Sequence, residues 1–86
     1  MKNISFTKVA WEDYLFWVDS NQKKIKKINA LITEITRTPF KGAGQPEPLK
    51  HQLSGYWSRR IDNKNRLVYC IENDNIEIIS CKGHYK

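Results

Sequence analysis

Eighty-six residues suffice for one domain with one core, spanning 1–86, and are too few for two. Hydrophobic residues make up 40%, with three Trp, four Tyr and three Phe, which excludes a disordered chain, and no run approaches the roughly 18 apolar residues of a membrane span. Fifteen Lys+Arg against nine Asp+Glu leave a formal charge of +6, which suits a polyanion such as nucleic acid or an acidic protein partner.

The basic excess is shared by both halves of the chain, so it belongs to a folded surface and not to a tail. The first seven residues, Met1 to Thr7, lack the apolar stretch of a secretory signal, and the expected compartment is the cytoplasm. Cys70 and Cys81 both fall in apolar, strand-like runs and are expected to be free thiols of the core. With no CxxC and no His/Cys cluster at ligand spacing, neither a zinc site nor a cofactor is expected.

Ile4 and Phe6 alternate with polar neighbours, as in a short half-buried strand. Thr7 then offers an N-cap to a helix whose Trp11, Tyr14, Leu15 and Val18 fall at i, i+3, i+4 and i+7. Asp19-Ser20-Asn21 interrupts that pattern and offers the next cap. A second helix follows, with Ile25, Ile28, Leu31, Ile32 and Ile35 on one face, which predicts a helical hairpin. Residues 39–48 hold all three prolines and two of the four glycines, so a surface loop is expected there. Strands are expected over 49–53, 56–61, 66–72 and 76–82, separated by Ser54-Gly55, 62–65 and Asn73-Asp74-Asn75. The order β-α-α-β-β-β-β predicts an α+β fold, an antiparallel sheet with the hairpin packed on one face.

Four polar features bear on chemistry. Glu47 stands between Pro46 and Pro48, whose rings stiffen the backbone that carries its carboxylate; the plainer reading is an exposed loop glutamate. Arg59 and Arg60 should point to opposite faces of one strand. A five-residue connection would set Arg60 directly across from Arg66, whereas a four-residue connection would not. Two facing guanidinium groups call for an anion between them, and phosphate fits the fork; the alternative is that each meets a surface carboxylate or solvent. The third feature is the tail Gly83-His84-Tyr85-Lys86, which supplies an imidazole able to exchange a proton near neutrality and an aromatic ring able to stack on a base, unless it is an idle terminus. His51 falls within an expected strand and is read as structural or peripheral. The fourth feature is Lys23, Lys26 and Lys27, which lie opposite the isoleucines, as a solvated face or a non-specific RNA contact. This set is enough for RNA cleavage without a metal or a protein nucleophile. A base deprotonates the ribose 2′-OH, cations stabilise the phosphorane, and an acid protonates the leaving 5′-oxygen.

Arg37-Thr38-Pro39-Phe40, Gly44-Gln45-Pro46-Glu47-Pro48-Leu49-Lys50, the run from Leu53 to Ile61, Arg66-Leu67-Val68-Tyr69 and the closing His84-Tyr85 together resemble the YoeB toxins of the RelE/ParE superfamily. The likeness runs the length of the chain. It implies the RelE-like microbial RNase fold and a ribosome-dependent endoribonuclease (an mRNA interferase) that cuts message in the A site of the 70S ribosome. It further implies Glu47 as general base, His84 as general acid, Arg60 and Arg66 as phosphate stabilisers, and Lys50, Arg59 and Tyr85 as RNA contacts. A YefM-type antitoxin with a flexible acidic segment is implied as partner, and homodimers are common in the group. Two departures are the extra Lys86 and Gly83, where relatives often carry a larger side chain. The rival is a binding-only toxin of the ParE type that inhibits DNA gyrase, a group that lacks the Glu/Arg/His-Tyr set. A third reading is a nucleic-acid-binding module without activity.

Overall fold

The computed structural model describes residues 3–84. Asn3–Phe6 form β1, and Thr7 starts the helix α1 (Lys8–Ser20). Its Oγ1 accepts the Ala10 N–H at 3.0 Å and donates to the Ile79 carbonyl at 2.8 Å, so one hydroxyl both caps the helix and ties it to the last strand of the chain. Asn21 closes α1 and opens α2 (Gln22–Arg37). Its N–H reaches the Trp17 carbonyl at 2.8 Å, and its side chain accepts from the Lys23 and Lys24 N–H groups. The five apolar residues expected on α2 are all buried, while Lys23, Lys26 and Lys27 are exposed on its other side. A single connecting residue and the Tyr14 hydroxyl, which donates to Asn29 Oδ1 at 2.8 Å, fix the helical hairpin.

The stripe expected on α1 is rotated. Ala10, Tyr14 and Trp17 face the core, whereas Trp11, Leu15 and Val18 are largely exposed. Polar demands select this face. Trp17 Nε1 donates to the Cys81 carbonyl at 2.8 Å and Asp13 Oδ2 accepts the Cys81 N–H at 3.0 Å, so turning the helix outward would orphan both groups. Trp11 lies stacked on Tyr14 and edge-on to Phe6.

The sheet comprises β1, β2 (Glu47–Pro48), β3 (Trp57–Arg60), β4 (Arg66–Glu72) and β5 (Asn75–Ser80), in the order β1-β5-β4-β3-β2. Strands β2 to β5 are antiparallel neighbours, as expected; β1 joins β5 in parallel, with Asn3 opposite Asn75. The strand expected over 49–53 gives way to Glu47–Pro48 followed by a 3-10 turn, His51–Leu53. His51 takes φ +59°, which no strand tolerates. Pro48, lacking an N–H, is acceptable because β2 is an edge strand. A bulge at Val68/Tyr69 leaves Ile79 as the extra residue, and its carbonyl is the one Thr7 takes up.

The core lies between the helices and the face of the sheet carrying Leu67, Tyr69, Ile76 and Ile78. Cys81 belongs to it, its thiol pushed up to about 12 by burial and by Asp13. Cys70 does not. It is half-buried on the opposite face, near Glu77, because alternation along β4 puts it there. Both thiols are free.

Candidate active site

Strand β3 ends at Arg60, one residue earlier than expected, and the resulting five-residue connection to β4 sets Arg60 directly opposite Arg66. Glu47 is opposite Ser58. Ser58, Arg60 and Arg66 therefore share the sheet face turned away from the helices. Together with Gln45, Pro46, Glu47 and His84 they line one open cleft of about 480 Å3. The proline-flanked acid, two guanidinium groups and the tail imidazole thus meet in a single depression. Ser58, only 2% exposed, forms part of its wall.

Each wall has a cause. Glu47 is carried by residues 39–46, and that segment is held from beneath by Arg59. This side chain points into the core, where its Nη2 donates to the Thr38 carbonyl at 2.5 Å and the Lys41 carbonyl at 3.0 Å. Its Nη1 donates to Ala43 at 3.0 Å, and Nε to the Tyr69 hydroxyl at 3.2 Å. That hydroxyl in turn donates to the Pro39 carbonyl at 2.7 Å. Burial raises the Tyr69 pKa, with Arg59 opposing, so the phenol stays protonated and keeps donating. Arg59, expected to contact RNA, is 0% exposed and cannot reach a ligand. It staples the loop that presents Glu47. The sequence held the signal, since Arg59 alternates with Trp57 and Ile61, the apolar side of the strand, while Arg60 alternates with Ser58.

Gly44 completes the attachment. Its carbonyl accepts the Arg60 N–H at 2.7 Å, and a β-carbon here would meet Leu31 Cδ2 at 2.9 Å and Arg59 Cβ at 3.1 Å. Only glycine allows so close an approach at φ +85°. The next residue, Gln45, is also left-handed at φ 53°, which turns the chain into the cleft it lines.

Arg66 is 7% exposed, its Nη1 donating to the Asp62 carbonyl at 2.6 Å and the Asn65 carbonyl at 3.1 Å. The 62–65 turn therefore orients its guanidinium plane toward the cleft. Arg60 is exposed. The tail returns to this place because β5 ends under α1, after which the Gly83 carbonyl accepts the Arg66 N–H at 2.9 Å.

The remaining expected residues fall elsewhere. Lys50 is exposed in a neighbouring depression of about 500 Å3 that runs from Glu47 to Leu53 and shares Glu47 with the cleft; His51 is exposed in it too, on the 3-10 turn. Tyr85 lies outside the described residues. Among the described residues no group of three His, Cys, Asp or Glu side chains is arranged to hold a metal ion, and no helix is long and apolar enough to cross a membrane.

Known proteins carry the same fold and much of the same sequence. Toxin YoeB of Streptomyces coelicolor is 55% identical over 82 residues, 95% of this chain and 98% of that one. Toxin YoeB of Escherichia coli strain K12 is 53% identical over 76 residues, 88% and 90% of the two chains. Among solved structures, a YoeB/ParE toxin from Agrobacterium tumefaciens superposes with a TM-score of 0.96 at 45% identity, covering 99% of this chain and all of that one. A YoeB dimer from Staphylococcus aureus superposes at 0.91 with 46% identity over 98% of both chains. YafQ from Escherichia coli, at 14% identity and a TM-score of 0.80, shares the fold alone. The model of the YoeB-like toxins of bacterial type II toxin–antitoxin systems matches residues 6–85, and the chain belongs to that family.

Proposed function

We propose that this toxin is a ribosome-dependent endoribonuclease that cuts message by acid–base catalysis with protein groups alone. The observation that supports the reading is the shared cleft, in which Glu47, Arg60, Arg66 and His84 face one another on a stapled floor. The Glu47 carboxylate takes the proton of the ribose 2′-OH, and the freed oxygen attacks the adjacent phosphorus. Arg60 and Arg66 receive the charge that grows on the equatorial oxygens, Arg66 as a donor already held by the 62–65 turn. The His84 imidazolium gives its proton to the leaving 5′-oxygen as that bond breaks. The products are a 2′,3′-cyclic phosphate and a 5′-hydroxyl, and the nucleophile comes from the substrate.

An open cleft with few groups cannot by itself press a flexible RNA into line. Orientation of the 2′-OH must come from outside, and the A site of the 70S ribosome supplies a held codon. Lys50, beside Glu47 in the adjoining depression, meets the phosphate backbone there, and Tyr85 stacks on a base. The partner that restrains the toxin is a YefM-type antitoxin whose acidic segment lies on this +6 chain. A YoeB–YefM complex is known for Staphylococcus aureus, as is a YoeB dimer, and homodimerisation is proposed here by the same likeness.

Mapping of message 5′ ends after brief expression tests the reading. Wild type should produce cuts within translated codons, and programmed ribosomes should be cut far faster than naked RNA. Glu47→Gln and His84→Ala should each lower single-turnover cleavage by about 100-fold or more and abolish growth arrest with an unchanged melting temperature. Growth arrest with an unaltered message population would overturn the reading in favour of a gyrase-binding toxin; equal cutting of free RNA would remove the ribosome from it.

A further inference from the structure

We propose that Asn65 is a positioning residue for the general acid, docking the tail so that His84 enters the cleft. The effect on cleavage rests on the nuclease reading; the docking does not. Gly83 is held by its peptide groups on both sides. Its carbonyl accepts the Arg66 N–H at 2.9 Å, and its N–H donates to Asn65 Oδ1 at 2.8 Å. Between these two bonds Gly83 adopts φ +82°, a turn that directs the next residue, His84, back over Arg66 and Arg60. Glycine at this position is thus fitted to a tethered turn and is not a slack joint.

The side chain doing this needs a donor and an acceptor at once. Asn65 Nδ2 donates to both oxygens of Asp62, at 3.1 and 3.0 Å, which leaves Oδ1 toward Gly83. A carboxylate on one side and a peptide N–H on the other admit only one orientation of the amide. Asp62 is itself fixed. It accepts the Lys64 and Asn65 N–H groups at 2.7 and 2.8 Å and pairs with Lys24 of α2. The chain of contacts runs from the helical hairpin through Asp62 and Asn65 to the peptide immediately before His84. The Asp62 carbonyl also holds Arg66, so one turn sets both the acid and a phosphate-binding cation.

Amide exchange and kinetics on the full chain test this. Gly83 is exposed, so its N–H exchanges slowly in the wild type only if Asn65 holds it. A Gly83 amide that exchanges at the rate of a free peptide overturns the proposal without any mutant. Asn65→Ala should release that amide and lower single-turnover cleavage on ribosomes about 10- to 100-fold, as expected for a group displaced by about 1 Å. The half-saturating concentration and the melting temperature should hold. A rate unchanged in Asn65→Ala, or one that falls only with the melting temperature, overturns it. If wild type in parallel cuts no message on ribosomes, the nuclease reading has failed instead, and the Gly83 amide still judges the docking.

Discussion

Arg59 and Arg60 are adjacent in sequence, identical in chemistry and opposite in duty. Arg60 stands in the open cleft, exposed and facing Arg66 across the hairpin. Arg59 is sealed beneath it, with all three guanidinium nitrogens committed to three loop carbonyls and the Tyr69 hydroxyl. Strand alternation alone separates them. A guanidinium remains charged in either place, so the difference lies in what compensates it. Carbonyl dipoles of the chain do so below, whereas above, Arg60 faces solvent, where the proposed function puts a phosphate. The site is therefore built in two storeys, a cationic working surface on a floor that a second cation makes rigid.

Substitutions at the two positions should fail in different ways. On the proposed nuclease reading, Arg60→Ala removes a cation from the cleft and should lower cleavage about 100- to 1,000-fold, with the melting temperature and urea midpoint unchanged. Arg59→Leu should instead destabilise the fold by about 3 kcal/mol or more, because several buried carbonyls and a phenol lose their partner together. A urea titration measures it. Arg59→Lys should recover only part of that loss, since one ammonium cannot span Thr38, Lys41 and Ala43 as a planar fork does. Equal loss of activity and equal retention of stability in Arg60→Ala and Arg59→Leu would erase the distinction.

The same contrast governs what could be read from the chain. On α2 the apolar residues occupy one side and lysines the other, so burial followed the pattern. On α1 Val9, Trp11, Leu15, Phe16 and Val18 leave apolar surface exposed around much of the helix. Periodicity there is ambiguous, and the face was decided by two hydrogen bonds to Cys81, nearly the length of the chain away. The parallel pairing of β1 with β5 is equally remote, and alternation in a strand carries no information on its neighbour. Glu47 was singled out by its two prolines and His84 by the chemistry of its ring, while strand alternation and turn length bore only on Arg60 and Arg66; that the four line one cleft had to come from the fold. Arg59 was legible in direction and misjudged in duty, though its apolar neighbours at two-residue spacing marked the buried side. Asn65 gave no signal, since an asparagine in a turn is ordinary and its partner, Gly83, is 18 residues away.

The smallest expected effect joins the two storeys through the 62–65 turn and is read by pH. Asp62 is held well below the usual carboxylate range, chiefly by Lys24; desolvation opposes, and Asn65 and the Lys64 and Asn65 N–H groups assist. A carboxyl whose folded-state pKa is depressed stabilises the fold fully above its unfolded value, and that contribution is lost as pH falls toward the folded value. The window therefore lies below about pH 4. The pair is partly exposed, at 27% and 26% of the two side chains, so solvent screens much of its attraction and the contribution is modest. Asp62→Asn cannot titrate. Its urea midpoint should lie below that of wild type at pH 7, and the gap should narrow as the wild-type midpoint falls through the acid window. Parallel curves from pH 7 to pH 2 would mean that the Lys24 contact adds nothing to the fold, leaving Arg59 alone to make the floor rigid.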